Sequence, residues 1–313
     1  MRILVTGARG FVGTHLVAAL RARGHDVLET DRAPLDGMLA VDVTDEPAVR
    51  GAFELARPDA VAHLAGQALV PESLRDPART VDVNVRGTQH VLEAAASLAA
   101  DSTRVRVLVT SSADVYGVQP VDAYPLRETA APSPRNPYAA SKVAAEALAL
   151  AYARSFGVDA VVTRAFNHIG PGQDERFAVA GFAAQIARAA TTGDPIVRVG
   201  NLDARRDVLD VRDVCEAYAS LLEGAGAAGE VYNVCSGTAT PVRELLRNLI
   251  TAARVPVEVR EDPDRLRPAD IPMSVGDASK LRAATGWTPR IPLAAALRAV
   301  YADALARAEA AAR

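Results

Sequence analysis

A strand-like run, Arg2-Ile3-Leu4-Val5-Thr6, leads directly into Gly7-Ala8-Arg9-Gly10-Phe11-Val12-Gly13 and then into a helical pattern over Phe11–Arg23. No other stretch limits the fold of this chain so tightly. Glycines at positions 7, 10 and 13 let the backbone turn sharply, approach a diphosphate closely and pack the helix onto the strand it follows. The diphosphate then rests on amides that the first turn of a helix leaves without carbonyl partners. A second strand-like run, Asp26–Thr30, is followed by Asp31, 18 residues after Gly13, where a carboxylate can accept both hydroxyls of an adenosine ribose. The loop residues Gly7, Arg9, Gly10, Phe11, Val12 and Gly13, with Asp31, are thus expected to hold a dinucleotide. Arg9 inside the loop and Arg32 beside the acid carry guanidinium groups suited to a 2′-phosphate. NAD, NADP or both remain open on this reading.

The rest of the first half keeps the same rhythm. Strand patterns at Ala60–His63, Val105–Ser111 and Ala160–Arg164 alternate with helical ones at Pro47–Ala56, Pro77–Ala100 and Pro137–Phe156. Alternation of that kind predicts an α/β fold with a Rossmann-type doubly wound parallel sheet over residues 1–166. Beyond it, Asn167–Glu175 is rich in glycine and proline. A helix is expected at Phe177–Thr192, short strands near Pro195–Gly200 and Glu230–Cys235, and helices at Asp213–Gly224, Val242–Ala253 and Pro292–Ala311. Residues 167–313 read as a smaller α/β subdomain, with crossings between the halves allowed. The alanine-rich tract Ala144–Ala153, which includes Glu146, reads as helix surface and seam.

Charge and cysteine content remove several functions. The 313 residues carry 35 Lys+Arg against 38 Asp+Glu, a net charge of −3 with the signs interspersed, so there is no electrostatic footprint for nucleic acid or an acidic membrane. No apolar run reaches the roughly 18 residues of a membrane span. The two cysteines, Cys215 and Cys235, make no disulfide framework, and no Cys/His cluster has metal-ligand spacing, so no metal is expected. Because Arg2–Thr6 already reads as a core strand rather than a targeting segment, a cytoplasmic protein is the expectation.

Tyr138-Ala139-Ala140-Ser141-Lys142 sets a phenol and an ammonium four residues apart, on one face of a helix. A free phenol near pKa 10 is a poor proton carrier at neutral pH. A neighbouring ammonium and an oxidised nicotinamide are both expected to lower that value and let Tyr138 exchange a proton with a sugar oxygen. Thr110-Ser111-Ser112-Ala113-Asp114-Val115-Tyr116-Gly117 follows an apolar strand, so its hydroxyls emerge at the carboxyl edge where doubly wound sheets bind ligands. Ser112 is placed there to donate a hydrogen bond to a carbonyl oxygen as charge develops on it.

Taken together, the glycine loop, His63-Leu64-Ala65-Gly66, Asn84 in Asn-Val-Arg-Gly-Thr, the Ser-Ser-x-x-x-Tyr-Gly segment and Tyr-x-x-x-Lys resemble the extended short-chain dehydrogenase/reductase family over nearly the full length of the chain. Members of that family mostly act on nucleotide-linked sugars. The resemblance implies a catalytic trio of Ser112, Tyr138 and Lys142, with Asp42 and Val43 around the adenine and Leu64, Ala65 and Gly66 along the cofactor. It also implies Thr110, Phe166 and His168 at the nicotinamide end, and a nucleotide sugar held by Ser112, Asp114, Tyr138, Asn167, Gly200, Arg206 and Arg267. Guanidinium forks suit adjacent phosphates. His63 and Asn84, read without the family, are a strand-end core histidine and a polar brace inside a helix. The two long helices resemble the pair that forms a four-helix homodimer seam.

Within the family, Phe166-Asn167-His168-Ile169-Gly170-Pro171-Gly172-Gln173 is most similar to enzymes that reduce GDP-linked 4-keto-6-deoxymannose. Dehydratases of the family usually carry a glutamate at position 114 and often an aspartate at 113, where this chain has Asp114 and Ala113. The expectation is therefore an NAD(P)H-dependent 4-ketoreductase of a nucleotide-activated 4-keto-6-deoxyhexose, with a GDP or dTDP sugar both compatible. The alternatives are a 4-epimerase that retains its NAD and, further off, a 4,6-dehydratase. A non-catalytic dinucleotide sensor would tend to lose Tyr138 or Lys142, and both are present.

Overall fold

The computed structural model describes residues 1–100, 104–265 and 271–312. The first half runs β1 (Arg2–Thr6), α1 (Phe11–Ala22), β2 (Asp26–Asp31), β3 (Leu39–Ala40), α2 (Glu46–Ala56), β4 (Ala60–His63), α3 (Val70–Arg75), α4 (Pro77–Val81), a π-helical turn (Asp82–Arg86), α5 (Gly87–Ala100), β5 (Arg106–Ser112), a 3-10 turn (Ala113–Tyr116), α6 (Pro137–Phe156) and β6 (Asp159–Ala165). The second half runs β7 (Asn167–Ile169), α7 (Ala178–Thr192), β8 (Ile196–Val199), β9 (Arg205–Asp210), α8 (Val211–Leu222), β10 (Glu230–Val234), β11 (Ala239–Pro241), α9 (Val242–Ala253), β12 (Glu258–Glu261), β13 (Met273–Ser274), α10 (Ser279–Thr285) and α11 (Leu293–Ala311).

Among the described residues, seven strands form one parallel sheet in the order β10-β6-β5-β4-β1-β2-β3. The order reverses between β1 and β4, which opens the crevice that dinucleotides use in this architecture. β6 is buried at all seven positions, as a central parallel strand covered on both faces must be. On one face Leu16 and Leu20 of α1 pack with Val214, Tyr218 and Leu221 of α8. On the other, Val49 and Phe53 of α2 join Val91 and Leu92 of α5. A third core lies outside the sheet, where Phe182 and Ile186 of α7, Leu245 and Leu249 of α9 and Leu297 and Val300 of α11 close on Val197 and Val199 of β8.

The chain crosses between these cores. β10, expected among the short strands of the C-terminal part, instead extends the main sheet beside β6, and α8 packs on α1. The long helix expected over Pro77–Ala100 is broken into α4, the π turn and α5. α6 spans the predicted Pro137–Phe156, capped by the Asn136 side chain on the Ala139 amide and closed by Gly157 at φ +69.

Candidate active site

The cradle between β1 and α1 is shaped by what a side chain would strike. A Cβ on Gly13 would lie 2.3 Å from the Gly7 carbonyl oxygen, and one on Gly7, at φ +70, 2.8 Å from the Ala65 amide nitrogen. α1 begins at Gly10 without a side-chain cap, so its first amides are left for an anion. The residues present therefore fit a dinucleotide diphosphate. Asp31 accepts hydrogen bonds from the Arg9 and Ala33 amides at 3.2 and 3.1 Å, which fixes the carboxylate at the end of β2. The Arg9 guanidinium folds onto the Ala33 carbonyl. Next along the edge, burial works against the charge on Asp42, but hydrogen bonds from Thr44 and the charges of Arg79 and Arg32 outweigh it and hold its carboxyl below the usual range. Val43 is buried against Gly87, where a Cβ would come within 2.7 Å of its Cγ2. Val12 and Phe11 face inward from the start of α1, and the Phe11 ring stacks on His168 with centroids 6.0 Å apart.

The strand β4 and its following loop join this cradle to the second group. Ala65 touches Gly7, and a Cβ on Gly66 would lie 3.5 Å from Lys142 Nζ. Leu64 packs on the core beside them. His63 sits fully buried between the hydroxyls of Thr6 and Thr88 at 2.9 and 3.1 Å. Burial, aided by the positive charge of Lys142, pushes its pKa down to about 3, so the imidazole is neutral. Asn84, in the π turn, accepts from the Gln67 amide at 2.8 Å and donates to Ser141 Oγ at 2.9 Å, tying that loop to α6. His63 is the strand-end core histidine, and Asn84 the polar brace, that the sequence indicated.

Tyr138 and Lys142 project from α6 toward the carboxyl end of β5. Lys142 Nζ donates to the Thr110 carbonyl at 2.8 Å, while the Thr110 hydroxyl donates to the His63 carbonyl at 2.9 Å. Tyr138 is close enough to Ser112 to interact with its hydroxyl, and the Ser112 Oγ accepts the Asp114 amide at 3.2 Å. The phenol does not behave as expected from the sequence. Burial drives its pKa up and the Asp114 carboxylate adds to that, with the Ser112 hydrogen bond opposing, so Tyr138 holds its proton at neutral pH. Lys142 is itself brought down to about 8 by burial, against the pull of Glu146. Reading Glu146 as helix surface was wrong: it is 4% exposed and paired with Arg164. Sequence reading missed it, although Tyr138, Lys142 and Glu146 follow one another at four-residue intervals on one face.

The remaining expected residues lie beyond β6. Asn167 is exposed on β7, and His168 donates through Nδ1 to the Phe166 carbonyl at 2.9 Å. The Phe166 ring is buried against Tyr116 and Gly276, so it faces the core. Arg206 on β9 donates to the Ile271 carbonyl at 2.6 Å. Its neighbour Asp207 is fully buried and accepts from the Ser236 and Gly237 amides at 2.7 and 2.8 Å, which anchors β9 beneath that arginine. Gly200 packs where a Cβ would meet the Arg265 carbonyl oxygen at 2.4 Å. Arg267 lies outside the described residues. The described residues contain no cluster of three or more His, Cys, Asp or Glu arranged to hold a metal ion, and no helix among them is long and apolar enough to cross a membrane.

With the glycine cradle reaching Lys142 through Ala65 and Gly66, the fold and site have the layout of NAD(P)-dependent oxidoreductases of the extended short-chain type. Residues 4–300 match the family model described as GDP-mannose 4,6 dehydratase, and the chain belongs to this NAD(P)-dependent epimerase/dehydratase family. A GDP-6-deoxy-D-mannose reductase of Pseudomonas aeruginosa is 44% identical over 303 residues, covering 96% of each chain. A UDP-glucose 4-epimerase of Mycolicibacterium smegmatis is 33% identical, over 94% of this chain and 95% of that one. Among solved structures, RMD from Pseudomonas aeruginosa complexed with NADPH superposes with a TM-score of 0.87 at 41% identity, covering 98% of this chain and 100% of that chain.

Proposed function

We propose that this chain is a 4-ketoreductase that uses NAD(P)H to reduce the ketone of a GDP-linked 4-keto-6-deoxyhexose, the substrate type of its reductase relative. The observation that carries the reading is the placement of Tyr138 and Lys142 on one face of α6 at the carboxyl end of β5, with Lys142 Nζ on the Thr110 carbonyl at 2.8 Å and burial favouring the protonated phenol. A reduction needs a proton donor there, whereas an oxidation would need the phenolate. With the sugar ketone at Ser112 and Tyr138, Ser112 donates a hydrogen bond to the carbonyl oxygen and Tyr138 passes it the phenolic proton. The bound dinucleotide supplies the hydride that C4 accepts. Lys142 stabilises the phenolate left behind and holds the nicotinamide ribose. Asp31 and the glycine cradle seat the cofactor, Arg9 and Arg32 flank the ribose edge, and Asn167, Arg206 and Arg267 bind the diphosphate of the sugar nucleotide. Asp114 raises the affinity of Tyr138 for its proton, and buried Ala113 offers no acid for a leaving hydroxyl.

The 4-epimerase reading has support in the epimerase relative, and it differs in what happens to C4. Incubation with NADPH deuterated at the transferred position should leave deuterium at C4 of the sugar product by NMR. Sugar turned over with no deuterium gained and the cofactor unconsumed would favour the epimerase instead. We further read the protein as a cytoplasmic homodimer joined through α5 and α6. Leu74, Val81 and Phe156 on α3, α4 and α6 leave large apolar side chains exposed on that side of the sheet. Both cysteines are free and buried, in keeping with a reducing compartment.

A further inference from the structure

Three consecutive residues of β5 meet three residues of α6 spaced by four. The Thr110 carbonyl takes Lys142, the Ser111 hydroxyl donates to Glu146, and Ser112 lies beside Tyr138. Glu146 is gripped on its other side by Arg164 of β6, whose Nε and Nη2 donate to its two carboxylate oxygens at 2.9 and 2.7 Å. Both side chains are almost fully buried, at 4% and 5% exposure. The Arg164 guanidinium also lies 4.7 Å over the Tyr116 ring and reaches the Glu128 carbonyl at 3.3 Å. A buried ion pair is a weak source of stability, because apolar residues of similar volume often serve packing as well or better. Its place one helical turn beyond Lys142 gives it another use.

We propose that Glu146 is a positioning residue for the reaction: locked by Arg164 and Ser111, its carboxylate fixes the register of α6 on β5 and keeps the Lys142 side chain protonated. This rests on the reading of Lys142 as part of the catalytic set. The ionisable groups facing the pair are His63 from β4, Arg164 from β6, Tyr138 on α6 itself and Asp114 from the turn after β5. His63 is neutral, Tyr138 keeps its proton, and Arg164 is neutralised by Glu146. From the π turn and α5, the groups that meet α6 are the neutral Asn84, on Ser141, and Glu93, on Tyr152 nearer the helix end. On α3 and α4, Arg75 pairs with Glu72 and Arg79 with Asp42. Burial opposes the charge on Lys142, and Glu146 is the neighbour that sustains it.

The chain has two lysines, Lys142 and Lys280, so lysine labelled with carbon-13 and nitrogen-15 gives a resolvable Lys142 signal, assigned with Lys280→Arg. Titrating that signal reads the proposal without any assay of turnover. Glu146→Gln keeps the shape and removes the charge, and should move the Lys142 midpoint down by about one unit or more. Glu146→Asp keeps the charge and should move it far less, and the alkaline limb of kcat/KM should follow each shift. A Glu146 that served packing alone would weaken both variants alike and leave the Lys142 midpoint in place, which overturns the proposal. If Glu146→Gln does not fold, the double variant Glu146→Gln/Arg164→Met strands no unpaired arginine and is titrated instead, with a smaller downward shift expected, because the lost Arg164 cation partly offsets the lost carboxylate, and an unmoved midpoint overturning it. A shifted Lys142 in a protein that reduces no 4-keto sugar would sink the proposed reaction while supporting this role.

Discussion

His63 reads in the sequence as a strand-end core histidine, and that is its place in the fold. Its ring is enclosed between Thr6 and Thr88, and burial beside Lys142 brings its pKa to about 3. An unfolded chain returns it to about 6.5. Between those values the unfolded state carries a proton that the folded state refuses, so stability is complete above pH 6.5 and falls as the pH drops. From pH 7 to pH 5 the loss traced to this one ring is ~2 kcal/mol. In urea denaturation at the two pH values, His63→Gln should shrink the decline by about that amount, and a decline unchanged from the native chain would contradict the account. Residue identity alone could not show that His63 is enclosed between two hydroxyls or that Glu146 is paired with Arg164. Stranding the arginine by truncating Glu146 to alanine would cost about 3–5 kcal/mol, since an unpaired buried charge is far worse than a missing contact. The burial of Glu146 depends on β5 and β6 meeting α6, and a window along the helix does not contain that information.

At the scale of elements, α6 was legible to the residue because its signals are local: an asparagine cap, proline at the first helical position, a glycine in the left-handed region at the end. The break between α4 and α5 was not legible. The sequence from Pro77 to Ala100 carries no internal proline and one glycine, Gly87, yet the chain widens into a π turn at Asp82–Arg86. That turn brings Asn84 to Gln67 and Ser141, and Gly87 allows the close approach to Val43. Distortions of this kind recur at functional sites, and their cause here lies in partners far away in the chain. The outer side of the same helices exposes Val81 and Phe156, where the proposed dimer would place its seam. Val81→Asp combined with Phe156→Asp places charges on exposed apolar positions of α4 and α6, at small expense to the monomer fold. Sedimentation equilibrium should show a dimer for the native chain and a monomer for this variant. A variant that stays dimeric would remove α4 and α6 from the interface.

For the whole molecule, the sequence disclosed the parallel sheet, the glycine cradle and the spacing that sets Tyr138 and Lys142 on one face of α6, because each rests on glycines, strand ends or a four-residue spacing within a short window. What it withheld was the path of the chain after Ala165. β10 returns to pair with β6, and Trp287 of the C-terminal part donates to the Asp213 carbonyl at 2.9 Å while the Asp213 carboxylate accepts the Arg290 and Ile291 amides at 3.0 and 2.9 Å. These are long-range closures that no local pattern encodes. β7, with Asn167, follows Ala165, the partner of Ser112 on β5, and pairs with β9, which carries Arg206, so the proposed cofactor crevice and the proposed sugar-nucleotide approach share one rim. The central claim is that this rim carries out a net reduction of a 4-keto sugar nucleotide. It is tested most directly by following cofactor absorbance, with NADH and NADPH separately, on freshly generated GDP-4-keto-6-deoxymannose and quantifying the sugar product. The account predicts one reduced cofactor oxidised for each ketone lost, with the reaction abolished in Tyr138→Phe. Ketone that persists with both cofactors, or sugar converted while the cofactor stays reduced, would contradict it.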